Sequence, residues 1–483
     1  MKFKISKAYI ILISVLTLIA IVLSVSGCAN GQTSSDISGA TVSEAAASEA
    51  TTALASGASK THLAENDISV NETLNNTENG GHAITADGES ANYSNVLVTK
   101  SGDSEGDEAD FYGDNSAVFA TNKGTLDLKN IVVKTDGTHA NAVFSYGEGT
   151  TVNIADSYIN TTGNCSGGLM TTGGGTMNAS NLTIETSGNS SAAIRSDRGG
   201  GTVNVNGGYY STSGKGSPVI YSTADITVSD AEMVSTASQG VVVEGKNSVT
   251  LNNVDLTADN NTKNSDKSSY YQAVMIYQSM SGDAAQGLSS FAMNGGSLVN
   301  KNGDVFFVNN TATQISLNNA AITNEGDGVF LRAAAAGWGK EGSNGGQVTL
   351  NAANQTINGD MIVDSVSSLN LYLKSSSSFT GAVNSDGAQG DVYVEIEKGS
   401  KWTLTADSYV SSLTCDADSI DLNGHKLYVN GKEYTAGSAS KGTAIEIKTT
   451  SSDSGKSGGQ EPPQGEAPPD GGKPDGEPPA KPD

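Results

Sequence analysis

The sequence has few of the residues on which several classes of protein depend. It contains 3 cysteines and 4 histidines in 483 residues, and its only arginines are Arg195, Arg198 and Arg332. So few cysteines cannot form the dense disulfide framework of a small secreted domain, and no Cys/His spacing matches a zinc site. The formal net charge of −25 repels the phosphate backbone, so no nucleic-acid partner is expected.

Two of the cysteines, Cys165 and Cys415, lie far apart in strand-like contexts. Each is predicted to be a small buried hydrophobic residue, because free cysteine is among the most buried residue types. A disulfide between them and a nucleophilic role are the alternatives.

The N-terminal segment has the pattern of an export signal. Three lysines precede an apolar run at 8–25, and small residues at 26–27 precede Cys28. This ending resembles the bacterial lipobox. The resemblance implies removal of a signal peptide at 1–27, acylation of Cys28 and anchoring in the bilayer on the extracytoplasmic face of the cell membrane. An uncleaved membrane-spanning helix is the alternative, since the run is nearly long enough to span.

Segments of biased composition flank a central body. Residues 28–61, which begin with the lipidated cysteine, are rich in Ser, Thr and Ala and are predicted to form a flexible linker. Residues 451–483 contain all the prolines except Pro218 and are predicted to form a disordered acidic tail. The folded domain is therefore expected at 62–450.

That body consists of short repeats. Equivalent apolar positions recur at steps of 26, 25, 26, 23 and 23 residues, and these positions are Leu126, Val152, Met177, Val203, Ile226 and Val249. Each repeat has two short alternating strands separated by Asn, Asp or Gly, followed by a third apolar stretch. Three strands in about 25 residues predict one coil of a parallel β-helix, which buries its inward face only by stacking on further coils. The expected fold class is all-β, a single-stranded right-handed parallel β-helix. Its ends need caps, for which 63–74 and a hairpin within 419–434 are candidates.

The coil pattern resembles the right-handed β-helices of the pectin-lyase-like superfamily. Segments 277–284, 327–339 and 424–434 resemble a group of clostridial cell-surface lipoproteins. Related β-helical lipoproteins are carbohydrate-binding or adhesin-like, which implies surface binding without a reaction. The same superfamily holds lyases and glycosidases, so the fold alone does not select a function.

Signatures of catalysis are weak. Arg195 with Asp197 and Arg198 is the best local match to the base of a lyase, and a surface ion pair within one coil is the alternative. No paired carboxylates with a local signature of glycoside hydrolysis stand out, so no catalytic residue is assigned.

The acidic run at 101–114 is a candidate calcium site. Ca²⁺ prefers several oxygen ligands from a flexible loop, which Asp103, Asp107, Asp110 and Asp114 could supply. A solvated acidic loop is the alternative. No other cofactor is expected to be required.

The regular step is interrupted at 260–272 and again at 337–346. Loops that leave a regular solenoid often carry its function. Tyr270, Tyr271 and Trp338 could present flat faces to sugar rings, with Arg332 and Asp283 as polar partners; packing of these aromatics against the rod is the alternative. The expected function is non-catalytic binding of carbohydrate or another surface ligand. A polysaccharide lyase or glycoside hydrolase and a structural stalk are the alternatives.

Overall fold

A computed structural model describes residues 60–263 and 265–448. The segments expected to hold the signal peptide, Cys28, most of the linker and the acidic tail lie outside the described residues. The regular secondary structure of the described chain is almost entirely β-strand, and its long sheets consist of parallel strands. The predicted parallel β-helix is confirmed.

Each regular coil contributes three strands, and the strands stack into three rows along a rod. The first row belongs to a 21-stranded sheet and comprises Ser90–Ser94, Thr125–Lys129, Thr151–Ala155, Gly175–Thr186, Gly201–Thr212, Asp225–Ser229, Ser248–Asn252, Leu288–Asn294, Thr311–Asn318, Gly346–Ala353, Ser368–Lys374, Asp391–Ile396 and Ser412–Cys415.

The second row completes that sheet and continues as a 4-stranded sheet. Gly175–Thr186 and Gly201–Thr212 pass through both rows. The other strands are Glu72–Asn76, Val96–Lys100, Val132–Thr135, Tyr158–Thr161, Glu232–Ser235, Asp255–Ala258, Ser297–Asn300, Ala321–Asn324, Thr356–Asn358, Ser378–Thr380, Lys401–Thr403 and Ile420–Asp421.

The third row is an 11-stranded sheet, called here the second sheet, which ends beside a small 3-stranded sheet. The second sheet contains Ile84–Asp87, Val118–Thr121, Val143–Tyr146, Leu169–Thr172, Ile194–Ser196, Ile220–Ser222, Val241–Glu244, Gln272–Tyr277, Asp304–Asn309, Val329–Ala333 and Asp360–Val363. The small sheet contains Ser408–Val410, Leu427–Val429 and Lys432–Glu433. The helical segments of the described chain are the 3-10 turn Glu65–Asp67 and the α-helix Asp107–Phe111.

The register of the coils follows the apolar repeat. The six apolar positions aligned from the sequence are successive Cα partners in the first row, from Leu126 to Val249, and all are fully buried. Alternation along each strand sends these side chains into the rod and their neighbours outward. The corners carry residues that tolerate a left-handed backbone, such as Asn130 at φ 52° and Asp156 at φ 50°.

The N-terminal end of the described chain runs along the flank of the rod. Its contacts, in order, are a Lys60–Asp255 ion pair of 2.6 Å, a stack of His62 on Tyr209 and a Glu65–Lys134 ion pair of 2.6 Å. The chain then enters the first strand of the second row at Glu72. Lys60 therefore lies on the flank, beside a strand several coils beyond the first one.

The C-terminal end of the rod carries the hairpin expected from the sequence. Leu427–Val429 pairs antiparallel with Lys432–Glu433. The following chain also turns back over the rod, where the Asn370 amide accepts from Ile445 N at 2.9 Å and donates to its carbonyl at 2.8 Å.

Candidate ligand-binding cleft

A line of outward-facing residues crosses the second sheet, one from each coil. Successive Cα partners along this line are Met170, Arg195, Tyr221, Val242, Met275, Phe307 and Arg332. Because strand side chains alternate, the residues on either side of each point into the core. Part of the line belongs to a hydrophobic cluster outside the main core, formed by Val242, Met275, Tyr277, Phe307 and Ala334, with Tyr221, Tyr270 and Trp338 packed against it.

A cleft of about 450 Å³ opens over this cluster. Its floor includes Tyr221, Val242, Met275 and Tyr277, and Trp338 also lines it. One wall is formed by residues 262, 263, 265, 267 and 268, and another by residues 279–281. Among the described residues that line the cleft, the charged ones are Lys263 and Lys267. The cleft therefore combines aromatic faces with a polar, basic rim in a strongly acidic chain.

The buried carboxylate of Glu244 lies at the last position of its strand, beside the floor. It is 1% exposed and accepts hydrogen bonds from the hydroxyls of Tyr221, Tyr277 and Ser279; the Tyr277 bond is 3.0 Å. Ser279 N also donates to it at 3.3 Å. Burial raises the pKa of Tyr221 and of Tyr277 well above the ordinary value, so both phenols stay protonated donors. These bonds fix the orientation of both aromatic rings.

Arg195 and Asp197, the best local match to lyase chemistry, form an ion pair within one coil. The guanidinium Nη2 lies 2.8 Å from Asp197 Oδ2, and the two side chains are 15% and 5% exposed. Each charge has its partner beside it, which is what burial of a charge requires. The geometry matches the ion-pair interpretation, but the expected surface position is wrong because both side chains are largely buried.

Arg198 joins two segments that flank the sheet. Its guanidinium lies 2.9 Å from Asp107 and 2.7 Å from Asp283, and it stacks 3.7 Å above the ring of Phe111. It thereby ties the helix Asp107–Phe111 to the loop that contains Asp283. Asp283 is therefore paired with Arg198, and its contact with a ligand stays a prediction.

The other residues expected to bind ligand occupy different environments. Trp338 lines the cleft and meets Tyr277 edge-on, with ring centroids 5.1 Å apart. The ring of Tyr270 packs against Phe307 at 5.3 Å and carries the Arg332 guanidinium at 4.2 Å. Tyr270 therefore packs against the rod, as in the alternative drawn from the sequence.

Arg332 and Tyr271 are also engaged by neighbouring side chains. Arg332 makes two hydrogen bonds to the buried carboxylate of Asp304, at 2.7 and 3.1 Å. Lys263 Nζ lies 5.1 Å from the centroid of the Tyr271 ring. Of the five residues proposed from the sequence, Trp338 is the one that lines the cleft.

The four aspartates proposed as calcium ligands bind different partners. Asp103 accepts from Thr138 N, Asp107 pairs with Arg198, Asp110 with His139, and Asp114 accepts from the Ser104 hydroxyl. The part of the chain that the structure describes contains no group of three or more His, Cys, Asp or Glu side chains placed to hold a metal. The calcium site stays a prediction from the sequence, without a cluster to support it.

The sequence did not indicate Tyr221, Glu244 or Tyr277 as site residues. Tyr221 and Glu244 are 23 residues apart, which is one regular coil, so the repeat could have placed them together. Tyr277 follows Glu244 by 33 residues because an insert lengthens that coil. The sequence signal that could have identified these residues is a polar side chain at an outward position of the third strand in consecutive coils.

Comparison of this chain with protein-family models, with curated proteins and with solved structures finds no match.

Proposed function

We propose that this protein is a lipid-anchored β-helix of the bacterial cell surface that binds carbohydrate without cleaving it. The observation that carries the proposal is the cleft at Tyr221, Tyr277 and Trp338, which joins aromatic rings to hydroxyl groups and, among the described residues, is lined by no carboxylate. Small-molecule sites typically combine an apolar surface with a few placed polar groups.

The chemistry of the cleft suits a sugar. A pyranose ring presents C–H groups on its faces, which pack against an aromatic ring, and hydroxyls at its edge, which need hydrogen-bond partners. Trp338 and the tyrosines provide the aromatic surface. Polar partners for hydroxyls lie around them, and these are Gln239, Thr262, Ser265, Ser268, Ser279 and Ser281.

The state of the nearby carboxylates favours binding over hydrolysis. A glycosidase needs one carboxyl group to protonate the leaving oxygen and a second to act as base or nucleophile. Glu244 is engaged by three hydroxyls beside the floor, and Asp197 is paired with Arg195. Neither lines the cleft. Polysaccharide cleavage and a purely structural stalk are therefore alternative outcomes of the test.

The cellular location rests on the sequence. The apolar run and Cys28 resemble a lipoprotein signal, and the repeat and three further segments resemble β-helical lipoproteins of clostridia within the pectin-lyase-like superfamily. Within the described residues, no helix has the length and apolar character to cross a bilayer. The proposed partners are the bilayer, through acylated Cys28, and a polysaccharide or cell-surface glycan at the cleft.

A glycan array with the full chain tests the proposal. Trp338→Ala removes an aromatic ring that lines the cleft. Tyr428→Ala is the matched control, because Tyr428 stacks on Tyr409 at 4.9 Å in the small sheet, away from the cleft. We expect Trp338→Ala to weaken retention of bound glycans by about tenfold or more, an aromatic contribution of about 1–2 kcal/mol, and Tyr428→Ala to leave it unchanged.

Product analysis separates the alternatives. New reducing ends or unsaturated uronates released from a retained glycan would establish cleavage and overturn the non-catalytic assignment. Retention of no glycan by the intact chain would favour the stalk. Equal loss in both variants would move the binding surface away from the cleft.

A further inference from the structure

The wall of the cleft at residues 279–281 contains a residue that folding does not favour. Met280 is 55% exposed, and the other exposed large hydrophobic side chains among the described residues are Val70 and Leu288. Its backbone lies in the left-handed region, at φ 66°. Most of the non-glycine residues with this conformation in the described chain are Asn, Asp or Ser, because bulkier side chains are disfavoured there. Neither burial nor backbone preference therefore explains a methionine at this position.

The segment that carries Met280 is fixed at both ends. At its start, Ser279 donates to the buried Glu244 carboxylate from its hydroxyl and, at 3.3 Å, from its backbone N–H. At its end, the Asp283 carboxylate accepts from Arg198 Nε at 2.7 Å. Hydrogen bonds to charged groups are among the strong ones in proteins. The residues between these two attachments are therefore held in place before a ligand binds.

Between the attachments the chain projects into open space. No atom lies within 4 Å of the position that a Cβ would occupy at Gly282, whose φ is 95°. The Met280 thioether accepts a weak hydrogen bond from Gln286 Nε2 at 3.4 Å. Met280 lines the cleft together with Tyr277 and Trp338. An apolar side chain is thus held beside the aromatic surface, with more than half of its own surface open to a ligand.

We propose that Met280 determines the specificity of the cleft by selecting sugars that carry a methyl group, and that Arg198 is its positioning residue through Asp283. The inference rests on the proposed binding of carbohydrate. The thioether side chain covers a sugar methyl, of an acetamido group or of a 6-deoxy sugar, without loss of a hydrogen bond. A hydroxyl in the same place would lose its bond to water and gain no strong acceptor, which weakens binding.

The backbone conformation of Met280 provides a way to separate binding from folding. Strained conformations persist where the surrounding structure imposes them, and they are concentrated at ligand sites. Asn tolerates the left-handed region, so Met280→Asn relieves the strain while it removes the apolar contact. A residue needed for folding would lower the stability of the protein when it is replaced. Met280→Asn should instead change specificity and leave stability unchanged or higher.

A glycan array of matched pairs, probed with the full chain, tests the specificity. Within a pair the glycans differ in one group, either acetamido against hydroxyl or 6-methyl against 6-hydroxymethyl, so the pair that responds identifies the methyl recognised. We expect the intact chain to retain the methyl-bearing member of one pair about tenfold more strongly. Met280→Asn should bring this ratio to about one, with its urea denaturation midpoint unchanged or higher. Leu288→Asn is the matched control and should keep the ratio, because Leu288 is 50% exposed and does not line the cleft.

Substitution of Arg198 tests the positioning. Arg198→Gln breaks the attachment at Asp283 but leaves the lining of the cleft intact, so it should lower the same ratio. Arg198→Lys keeps a cation beside Asp283 and should restore part of it. An unchanged ratio in Arg198→Gln would overturn the role of Arg198.

The remaining outcomes separate this inference from carbohydrate binding itself. If the intact chain retains glycans but treats both members of every pair alike, or if Met280→Asn keeps the ratio of the intact chain, the inference is overturned and carbohydrate binding stands. A ratio lost together with the denaturation midpoint would give Met280 a structural role and would also overturn it. Retention of no glycan by the intact chain would overturn both.

Discussion

Tyr277 and Glu244 are Cα partners in neighbouring coils, and the phenol of Tyr277 donates to the buried Glu244 carboxylate at 3.0 Å. The bond crosses the coil that contains the insert at 260–272. It links the regular part of the second sheet to a loop wall of the cleft, since Ser279 binds the same carboxylate. The stability of the cleft and the orientation of its aromatic rings therefore depend on the side chain of Glu244.

Replacing Glu244 should destabilise the protein. Glu244→Gln keeps the volume but removes the charge and one acceptor oxygen, so buried hydroxyl donors lose part of their bonding. We expect a loss of about 1–3 kcal/mol in the free energy of unfolding. The exposed Glu232→Gln removes the same charge and should change it by less than about 0.5 kcal/mol. Urea denaturation measures both, and equal effects would contradict the importance of the buried network.

The Arg332–Asp304 pair should be far more costly to break than a surface pair. The Asp304 side chain is 1% exposed, and Asp304→Asn leaves the Arg332 guanidinium without its anionic partner. We expect a loss of about 3–5 kcal/mol. The matched control is Glu325→Gln, which breaks the exposed pair with Lys301 and should cost at most about 1 kcal/mol. Denaturation midpoints that rank the two variants in the opposite order would contradict this assignment.

The protonation of His139 should appear in the pH dependence of stability. Its pKa in the folded chain is about 9, above the value of about 6.5 expected when unfolded. The folded state therefore holds the proton more tightly, and this stabilisation is fully present below about pH 6.5 and is lost as pH rises through about 9. We expect the denaturation midpoint of the native chain to fall more steeply over this window than that of His139→Asn. Parallel pH profiles would show that the imidazole gains no partner on folding.

Much of the fold follows from the sequence because one physical requirement repeats in every coil. Leu126 and Val152 must both point inward, and corner residues such as Asn130 must accept a left-handed backbone. When successive segments meet both requirements at a constant step, the sequence predicts how their strands align in neighbouring coils. The predicted coils were therefore correct even where the side chains differ.

The site depends on contacts that break the repeat. Tyr277 meets Glu244 because the insert between them, whose length the repeat does not predict, loops out of the coil. Asp110 reaches His139 because the short helix Asp107–Phe111 leaves the rod. Neither contact has a periodic signal. Trp338 was identified as a candidate because it lies in such an insert, whereas Tyr270, from the other insert, packs against Phe307. The position of an aromatic residue in an insert indicates that it leaves the regular coil. It does not indicate whether its ring packs against the rod or faces the cleft.

The most direct test of the account is a fluorescence titration of the full chain with a glycan retained on the array. The chain has 2 tryptophans, and Trp402 is fully buried whereas Trp338 lines the cleft. We predict a saturable change in tryptophan emission that is absent in Trp338→Phe and retained in Trp402→Phe, whose fold is checked by its circular dichroism. Binding that leaves emission unchanged in the native chain, or a signal that survives in Trp338→Phe, would contradict carbohydrate binding at this cleft.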